Sequence, residues 1–234
     1  MKYLIVSGCS FTAKDHSWQF QGRQRVDKKW PAHLKDMIDP NLTLINLAHS
    51  GAGNEYIYTS LKNEILKLEP DDIFLVIAAW SGGMRDDWES PYKQFQKNHN
   101  WVHENLAYKS NHLKRFHKAR DFMAARTTNW RWCLQKLSKE LNFDYIEVNM
   151  YNDPCLAFIE EMRLNAYNDP MYKSLNSSLT DSHNIQMGYD VTTSINDFLL
   201  LDEDRVSKDD HHPNSDGHKK IAEWMYNEIQ HMGY

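Results

Sequence analysis

Cysteine is scarce in this chain, and the few that occur lie far apart. Of 234 residues only three are cysteine, at positions 9, 133 and 155. An odd number at such wide spacing supports neither a disulfide framework nor a zinc site built from CxxC pairs. We therefore expect a protein of a reducing compartment.

Long apolar runs are also absent. No stretch approaches the roughly 18 to 20 residues that cross a bilayer. The sequence ending at Cys9 looks like a lipoprotein cleavage box, but a secretory signal needs about 15 to 30 residues and only eight precede Cys9. We expect a soluble, cytoplasmic protein with no membrane partner.

There is no excess of positive charge. The 27 Lys and Arg residues are outnumbered by 32 Asp and Glu residues, which gives a formal net charge of −5. No overall basic field is available to hold a phosphate backbone. Nucleic acid is therefore not an expected partner.

Length and composition fit one globular domain. The hydrophobic share of 41% and the charged share of 25% are close to globular averages, and a single core can serve about 250 residues. We expect one domain over residues 1–234. It carries an irregular, aromatic-rich insertion at about 80–117 and a loop-rich segment at about 165–196.

Strand-like and helix-like segments alternate along the chain. Short apolar runs predict strands, and apolar residues three to four apart predict helices. Alternation with short connections predicts a three-layer α/β/α sandwich with a central parallel sheet, whose chemistry lies beyond the carboxyl ends of the strands. The predicted strands are 3–6, 42–48, 73–79 and 143–148, with a short fifth strand or buried turn at 198–201, and the predicted helices are 30–38, 54–68, 119–141 and 217–232.

A serine and a histidine stand where this topology would bring them together. Ser10 follows the first strand on a glycine turn, and His212 lies in the loop that enters the last helix. Asp209, three residues before His212, can fix one ring nitrogen and leave the other to accept a serine proton. The pattern predicts Ser10 as nucleophile, His212 as base and Asp209 as the residue that orients it.

A nucleophilic serine also needs donors for the oxyanion that forms when it attacks a carbonyl. Backbone N–H groups on glycine turns are the usual supply. Ser10 itself and Gly51, directly after the second strand, offer two such groups. Asn54 or Ser81 could supply the third.

These blocks together resemble the SGNH (GDSL-like) hydrolase superfamily of esterases and lipases. Gly8-Cys9-Ser10 is similar to the first block, with Cys9 in place of Asp, Gly51 to the second, and the run from Asp209 to Pro213 to the last. The third block departs, because Ala79-Trp80-Ser81-Gly82-Gly83 lacks the family's oxyanion-binding Asn. The resemblance implies a flavodoxin-like fold and a serine esterase that needs no cofactor. Its substrate would be a small-molecule or carbohydrate ester, for example an O-acetyl group.

Three alternatives to this interpretation stay open. The altered third block and the aromatic insertion also fit a noncatalytic protein that keeps the fold and binds a glycan or a protein. Asp209, Asp210, His211 and His212 could be metal ligands with His16, His49 or His218, although adjacent residues rarely share one ion, and we expect no metal. Cys9 could be the nucleophile, but a small packed residue is favoured there.

The insertion itself allows two interpretations. Its aromatic side chains could stack on sugar rings or could form the insertion's own core, and the core is favoured. Arg85 could pair with a substrate carboxylate or phosphate, although a surface ion pair is favoured. The aromatic residues concerned are Trp88, Tyr92, Trp101 and Tyr108.

Overall fold

The structure is a computed structural model that describes most of the chain in separate ranges. These are residues 1–14, 28–81, 85–89, 101–105, 113–150, 185–186, 195, 199–207 and 210–231. For 85–89, 101–105, 113–125 and 185–186 the description is of the backbone alone.

The described strands and helices alternate along the chain as far as Trp80. They are β1 (Tyr3–Gly8), α1 (Trp30–Ile38), β2 (Thr43–Asn46), α2 (Asn54–Ile65), β3 (Ile73–Trp80), β4 (Arg85–Glu89), β5 (Trp101–Asn105), α3 (Leu113–Leu141), β6 (Tyr145–Asn149), β7 (Ile185–Gln186), β8 (Arg205–Ser207), β9 (Asp210–Pro213) and α4 (Ser215–His231). Among the described helices, none is both long and apolar enough to cross a membrane.

The central sheet has five parallel strands in the order β2-β1-β3-β6-β7. Near the carboxyl end of β1, Val6 pairs with Asn46 on one side and with Ile77 on the other. The carboxyl ends of the neighbouring strands β1, β2 and β3 therefore meet at one edge of the sheet. Parallel strands need crossover connections, which cover the faces of the sheet with helices.

Side chains that alternate along each strand build two separate cores. Leu4 and Val6 of β1 pack on the face covered by α1 and α4, whereas Ile5 packs on the face covered by α2 and α3. All three are fully buried. Sheet and helices thus form three layers, and the predicted α/β/α sandwich is confirmed.

Helices and strands with strong apolar patterns lie close to their predicted positions. Helix α1 has the predicted bounds, with Pro31 in its first turn, where a missing N–H costs nothing. Helix α2 ends at Ile65 and the last helix begins at Ser215, each within three residues of prediction. Helix α3 begins at Leu113, six residues earlier than predicted.

The prediction of an irregular insertion at 80–117 is wrong in part. Strands β4 and β5 pair antiparallel within it, with Arg85 opposite Asn105 and Glu89 opposite Trp101. Both strands are mostly polar, so no apolar alternation marks them in the sequence. The fifth strand of the sheet is β7, inside the predicted loop segment, while Leu199 lies in a turn and Leu200 in no regular element.

A buried ion pair joins α3 to the sheet near the end of β3. Arg131 donates to both carboxylate oxygens of Glu147, at 3.0 and 3.2 Å, and Trp80 Nε1 donates to the same carboxylate at 3.1 Å. Burial by itself would raise the pKa of Glu147, but Arg131 and the hydrogen bonds from Trp80 and Tyr145 outweigh it and lower this pKa. The ion pair thus holds Trp80, the last residue of β3, in place.

Candidate active site

Ser10 lies in a tight turn directly beyond β1. The N–H groups of Thr12 and Ala13 both donate to the carbonyl of Cys9 at 2.9 Å, which folds the chain back over the strand end. A Cβ atom at Gly8 would stand 2.6 Å from Thr12 Oγ1, so the turn can form this closely only with glycine. Ser10 is 5% exposed.

His212 lies on β9, which pairs antiparallel with β8 just before α4. Its Nε2 is 2.8 Å from Ser10 Oγ, and its Nδ1 is 2.5 Å from Asp210 Oδ1. With the ring proton on Nδ1 donated to the carboxylate, Nε2 is the atom that accepts the Ser10 hydroxyl proton. The ring of Phe11 packs against the imidazole, with ring centroids 5.0 Å apart.

Among the described residues, the carboxylate that contacts His212 is that of Asp210, whereas the sequence predicted Asp209. Asp209 lies outside the described residues. The prediction assumed a loop, in which a spacing of three residues is favourable, but Asp210–Pro213 is a strand. Residues two apart share a face of a strand, so Asp210 and His212 point the same way. His211 takes the opposite face and contacts Arg205 Nη1 at 2.8 Å.

The second predicted block lies beside the serine turn. His49 N–H donates to the Gly8 carbonyl at 3.0 Å, and Asn46 Nδ2 donates to the Thr12 carbonyl at 2.9 Å. These bonds continue the pairing of β1 and β2 past the end of the strands. Gly51 follows in a left-handed turn with φ of 85°, a conformation that favours glycine.

Asn54 and Ser81, the two candidates for the third oxyanion donor, contact each other. Asn54 Oδ1 accepts the Ser81 N–H at 2.9 Å, and Asn54 Nδ2 donates to Thr127 Oγ1 on α3 at 3.3 Å. Both ends of the Asn54 carboxamide are therefore engaged. The Ser81 hydroxyl is buried and has no hydrogen-bond partner within the described part of the chain.

The other residues that the sequence suggested for the site lie in the core, on β4 and β5, or outside the described residues. Cys9 is fully buried in the core beneath α1 and α4. Arg85, Trp88 and Trp101 lie on β4 and β5, where only the backbone is described, and His16, Tyr92 and Tyr108 lie outside the described residues. Within the described ranges, no group of three or more His, Cys, Asp or Glu side chains is arranged to hold a metal ion.

Comparison with known proteins gives structural matches only. No family model matches the chain, and no curated protein matches it. It is similar to the crystal structure of the lipase Lip_vut3 from a goat rumen metagenome, at 14% identity and a TM-score of 0.50, over 100% of this chain and 98% of that one. It is also similar to the psychrotrophic esterase EstA from Pseudoalteromonas sp., in a structure inhibited by monoethylphosphonate, at 17% identity and a TM-score of 0.47, over 99% and 98%.

Of these two structures, Lip_vut3 has the higher TM-score, and the comparison of folds is based on it. At 14% identity over the full length of the chain, it concerns the fold alone. The chain has the three-layer α/β/α fold that the SGNH resemblance predicted.

A buried lysine that the sequence did not single out lies within electrostatic reach of Asp210. Lys29 directly precedes α1 and is 6% exposed. Its ammonium donates to Nε2 of His218, a fully buried residue of α4, at 3.2 Å. Burial lowers the pKa of Lys29 from 10.5 to about 8, although the Asp210 carboxylate acts in the opposite direction. No pattern in the sequence marks this position.

The buried ammonium should reduce stability at neutral pH. Between pH 8 and 10.5 the unfolded chain keeps a proton on Lys29 that the folded chain has released, so the free energy of unfolding rises with pH across this window. Replacing Lys29 with Met removes the cost of burying the charge. The variant should therefore be more stable than the wild type by about 3 kcal/mol at pH 7, and by less than about 1 kcal/mol at pH 10.

Urea unfolding followed by tryptophan fluorescence at both pH values measures this difference. Lys28→Met is the matched control, because Lys28 is partly exposed and pairs with Asp36 at the surface. It should follow the pH dependence of the wild type. A stability difference for Lys29→Met that is equal at pH 7 and pH 10 would show that the Lys29 ammonium is not destabilised by burial.

Proposed function

Because the chain has the fold of the SGNH (GDSL-like) hydrolases and joins a serine, a histidine and a carboxylate by hydrogen bonds, we propose that it is a serine esterase. The observation that carries the proposal is the 2.8 Å contact between Ser10 Oγ and His212 Nε2, whose residues are 202 positions apart in the chain. Asp210 completes the arrangement. The reaction is hydrolysis of a carboxylic ester.

The first half of the reaction transfers the acyl group to the enzyme. Ser10 Oγ attacks the ester carbonyl carbon while His212 Nε2 takes the hydroxyl proton. Asp210 holds the imidazole in the required tautomer and stabilises the positive charge that develops on the ring. The tetrahedral intermediate then collapses, the C–O bond to the alcohol breaks, and His212 returns the proton to the departing alcohol.

The second half regenerates the serine. Water attacks the acyl-enzyme carbonyl as His212 accepts one of its protons, and collapse of the second intermediate releases the carboxylic acid. The same proton returns to Ser10 Oγ. Each of these steps uses groups of the protein and water, so the proposed mechanism includes no cofactor.

We assign the oxyanion to three donors, of which two are the backbone N–H groups of Ser10 and Gly51. The third is the Ser81 hydroxyl, which is buried without a partner among the described residues. Asn54 is the weaker candidate, because its carboxamide already bridges Ser81 and Thr127. One oxyanion donor contributes about 10²- to 10³-fold to kcat, so Ser81 would compensate for the family's missing Asn.

The acyl group is proposed to be small. Ser10 is 95% buried, so a carbonyl must reach it through a confined opening. An acetyl group meets this requirement better than a long acyl chain does. An O-acetyl group on a carbohydrate is the substrate that we favour within this class.

Hydrolysis of p-nitrophenyl acetate and butyrate tests the proposal. Wild-type protein should release p-nitrophenol, faster from the acetate, and Ser10→Ala and His212→Ala should each lower kcat/KM by at least about 10³-fold. Ser7→Ala is a matched control, since Ser7 is a buried serine of β1 that hydrogen-bonds Ser60. It should stay within a few-fold of the wild type.

Two outcomes would contradict the proposal. Ester hydrolysis that survives in Ser10→Ala would place the reaction elsewhere. Failure of the wild type both to hydrolyse these esters and to react with a fluorophosphonate at Ser10 would favour a noncatalytic binding protein with the same fold.

The two neighbouring aspartates provide a separate test of the geometry on β9. In Asp210→Asn the amide loses the charge and presents a donor to Nδ1, which favours the wrong tautomer, so kcat should fall by about 10³- to 10⁴-fold. Asp209→Asn makes the same chemical change one residue away and should lower kcat by less than about threefold, since Asp210 contacts the ring. A larger loss of kcat in Asp209→Asn than in Asp210→Asn would show that Asp209 orients His212.

A further inference from the structure

We propose that Thr127 on α3 is a positioning residue for the oxyanion donor Ser81, which it holds through the carboxamide of Asn54. The inference deepens the proposed function and rests on it. It gives α3 a role in the site that no sequence pattern indicated.

The peptide group between Trp80 and Ser81 is held at both of its polar atoms. The Trp80 carbonyl accepts the Met150 N–H at 2.9 Å, just beyond the end of β6. The Ser81 N–H donates to Oδ1 of Asn54, the first residue of α2, at 2.9 Å. Because both ends of this peptide group are fixed, the point from which the Ser81 side chain starts is fixed as well.

Asn54 can hold Ser81 in only one orientation of its carboxamide. A backbone N–H is a donor alone, so it must face the carboxamide oxygen, and the carboxamide nitrogen then points the other way. That nitrogen donates to Thr127 Oγ1 at 3.3 Å. Asn54 and Thr127 are 2% and 1% exposed, so bulk water does not reach this contact. Removing the Thr127 hydroxyl would therefore leave a buried donor without its acceptor and the carboxamide without its second anchor.

Helix α3 holds the neighbouring residue from its next turn. Arg131 lies four residues after Thr127 and therefore on the same face of the helix. It donates to the Glu147 carboxylate at 3.0 Å, and Trp80 Nε1 donates to the same carboxylate at 3.1 Å. All of these side chains are buried. Two successive turns of α3 thus hold Trp80 and Ser81, each through one intermediate side chain.

These contacts fix the backbone of Ser81 and leave its hydroxyl for the substrate. The hydroxyl is buried and has no hydrogen-bond partner among the residues that the structure describes. A donor stabilises an oxyanion best when its position is set before the negative charge develops. Loosening Asn54 should therefore weaken the transition state, and should affect binding of the uncharged ester much less.

Steady-state hydrolysis of p-nitrophenyl acetate by Thr127→Val tests this inference. Valine keeps the shape of threonine without its hydroxyl, so kcat should fall by about tenfold while KM stays within about twofold. Thr127→Ser keeps the hydroxyl and should retain kcat within about threefold of the wild type. Ser138→Ala is the matched control, because it removes a buried α3 hydroxyl that donates to the Gln135 carbonyl of the same helix. It should leave kcat unchanged.

Combining Thr127→Val with Ser81→Ala separates positioning from a general weakening of the fold. Ser81→Ala alone should lower kcat by about 10²- to 10³-fold. If Thr127 acts through Ser81, the double variant should be no slower than Ser81→Ala. A purely structural role for Thr127 predicts instead that the two losses multiply. Multiplying losses would therefore overturn the inference, as would a Thr127→Ser variant as slow as Thr127→Val.

Hydrogen exchange of the Ser81 amide, followed by NMR, gives a readout that needs no turnover. The exchange rate should rise by about tenfold or more in Thr127→Val and should stay unchanged in Ser138→Ala. Equal rates in the wild type and Thr127→Val would overturn the inference. A wild type that hydrolyses no ester would refute the proposed function, while the exchange rates would still decide whether Thr127 holds Ser81.

Discussion

The hydrogen bond between Ser10 and His212 depends on the packing of the two ends of the chain against one face of the sheet. Ser10 follows the first strand, and His212 immediately precedes the last helix. Helices α1 and α4 share the core on that face, where Trp30 and Leu34 pack in the same cluster as Ile221 and Met225. The burial of these side chains supplies the free energy that keeps the serine turn and β9 together. The site is therefore a product of the core, and loosening α4 would separate its two halves.

The segments that define the sheet are predictable from sequence because their signals are apolar and periodic. The run at 73–80 is almost entirely apolar, as expected for a strand covered on both faces, and α1 shows helical spacing behind a proline. Ser10, Gly51 and His212 were predicted from their places at the ends of such segments. The structure brings Ser10 and His212 into contact and sets the Gly51 loop against the same strand end.

The remainder of the site depends on contacts between distant residues, which leave no local pattern in the sequence. The four residues of β9 read Asp-His-His-Pro, which has no strand propensity, and pairing with β8 alone makes them a strand. That pairing places Asp210 on the same face of the strand as His212. Lys29 and His218 are 189 residues apart, and only the packing of α1 on α4 brings them together. Two buried charge clusters flank the sheet. Arg131 and Glu147 lie beside Trp80 at the end of β3, and Lys29 contacts His218 between α1 and α4. Buried charges stabilise a fold poorly, so the positions of these two charge clusters fit a role in holding functional groups.

A crystal structure of the protein after reaction with a fluorophosphonate tests the central claim most directly. The account predicts phosphorus bonded to Ser10 Oγ, with one phosphoryl oxygen within hydrogen-bonding distance of the Ser10 and Gly51 N–H groups and of Ser81 Oγ. Asp210 should remain in contact with His212 in that adduct. An unmodified Ser10, or a phosphoryl oxygen directed away from Gly51 and Ser81, would contradict the account.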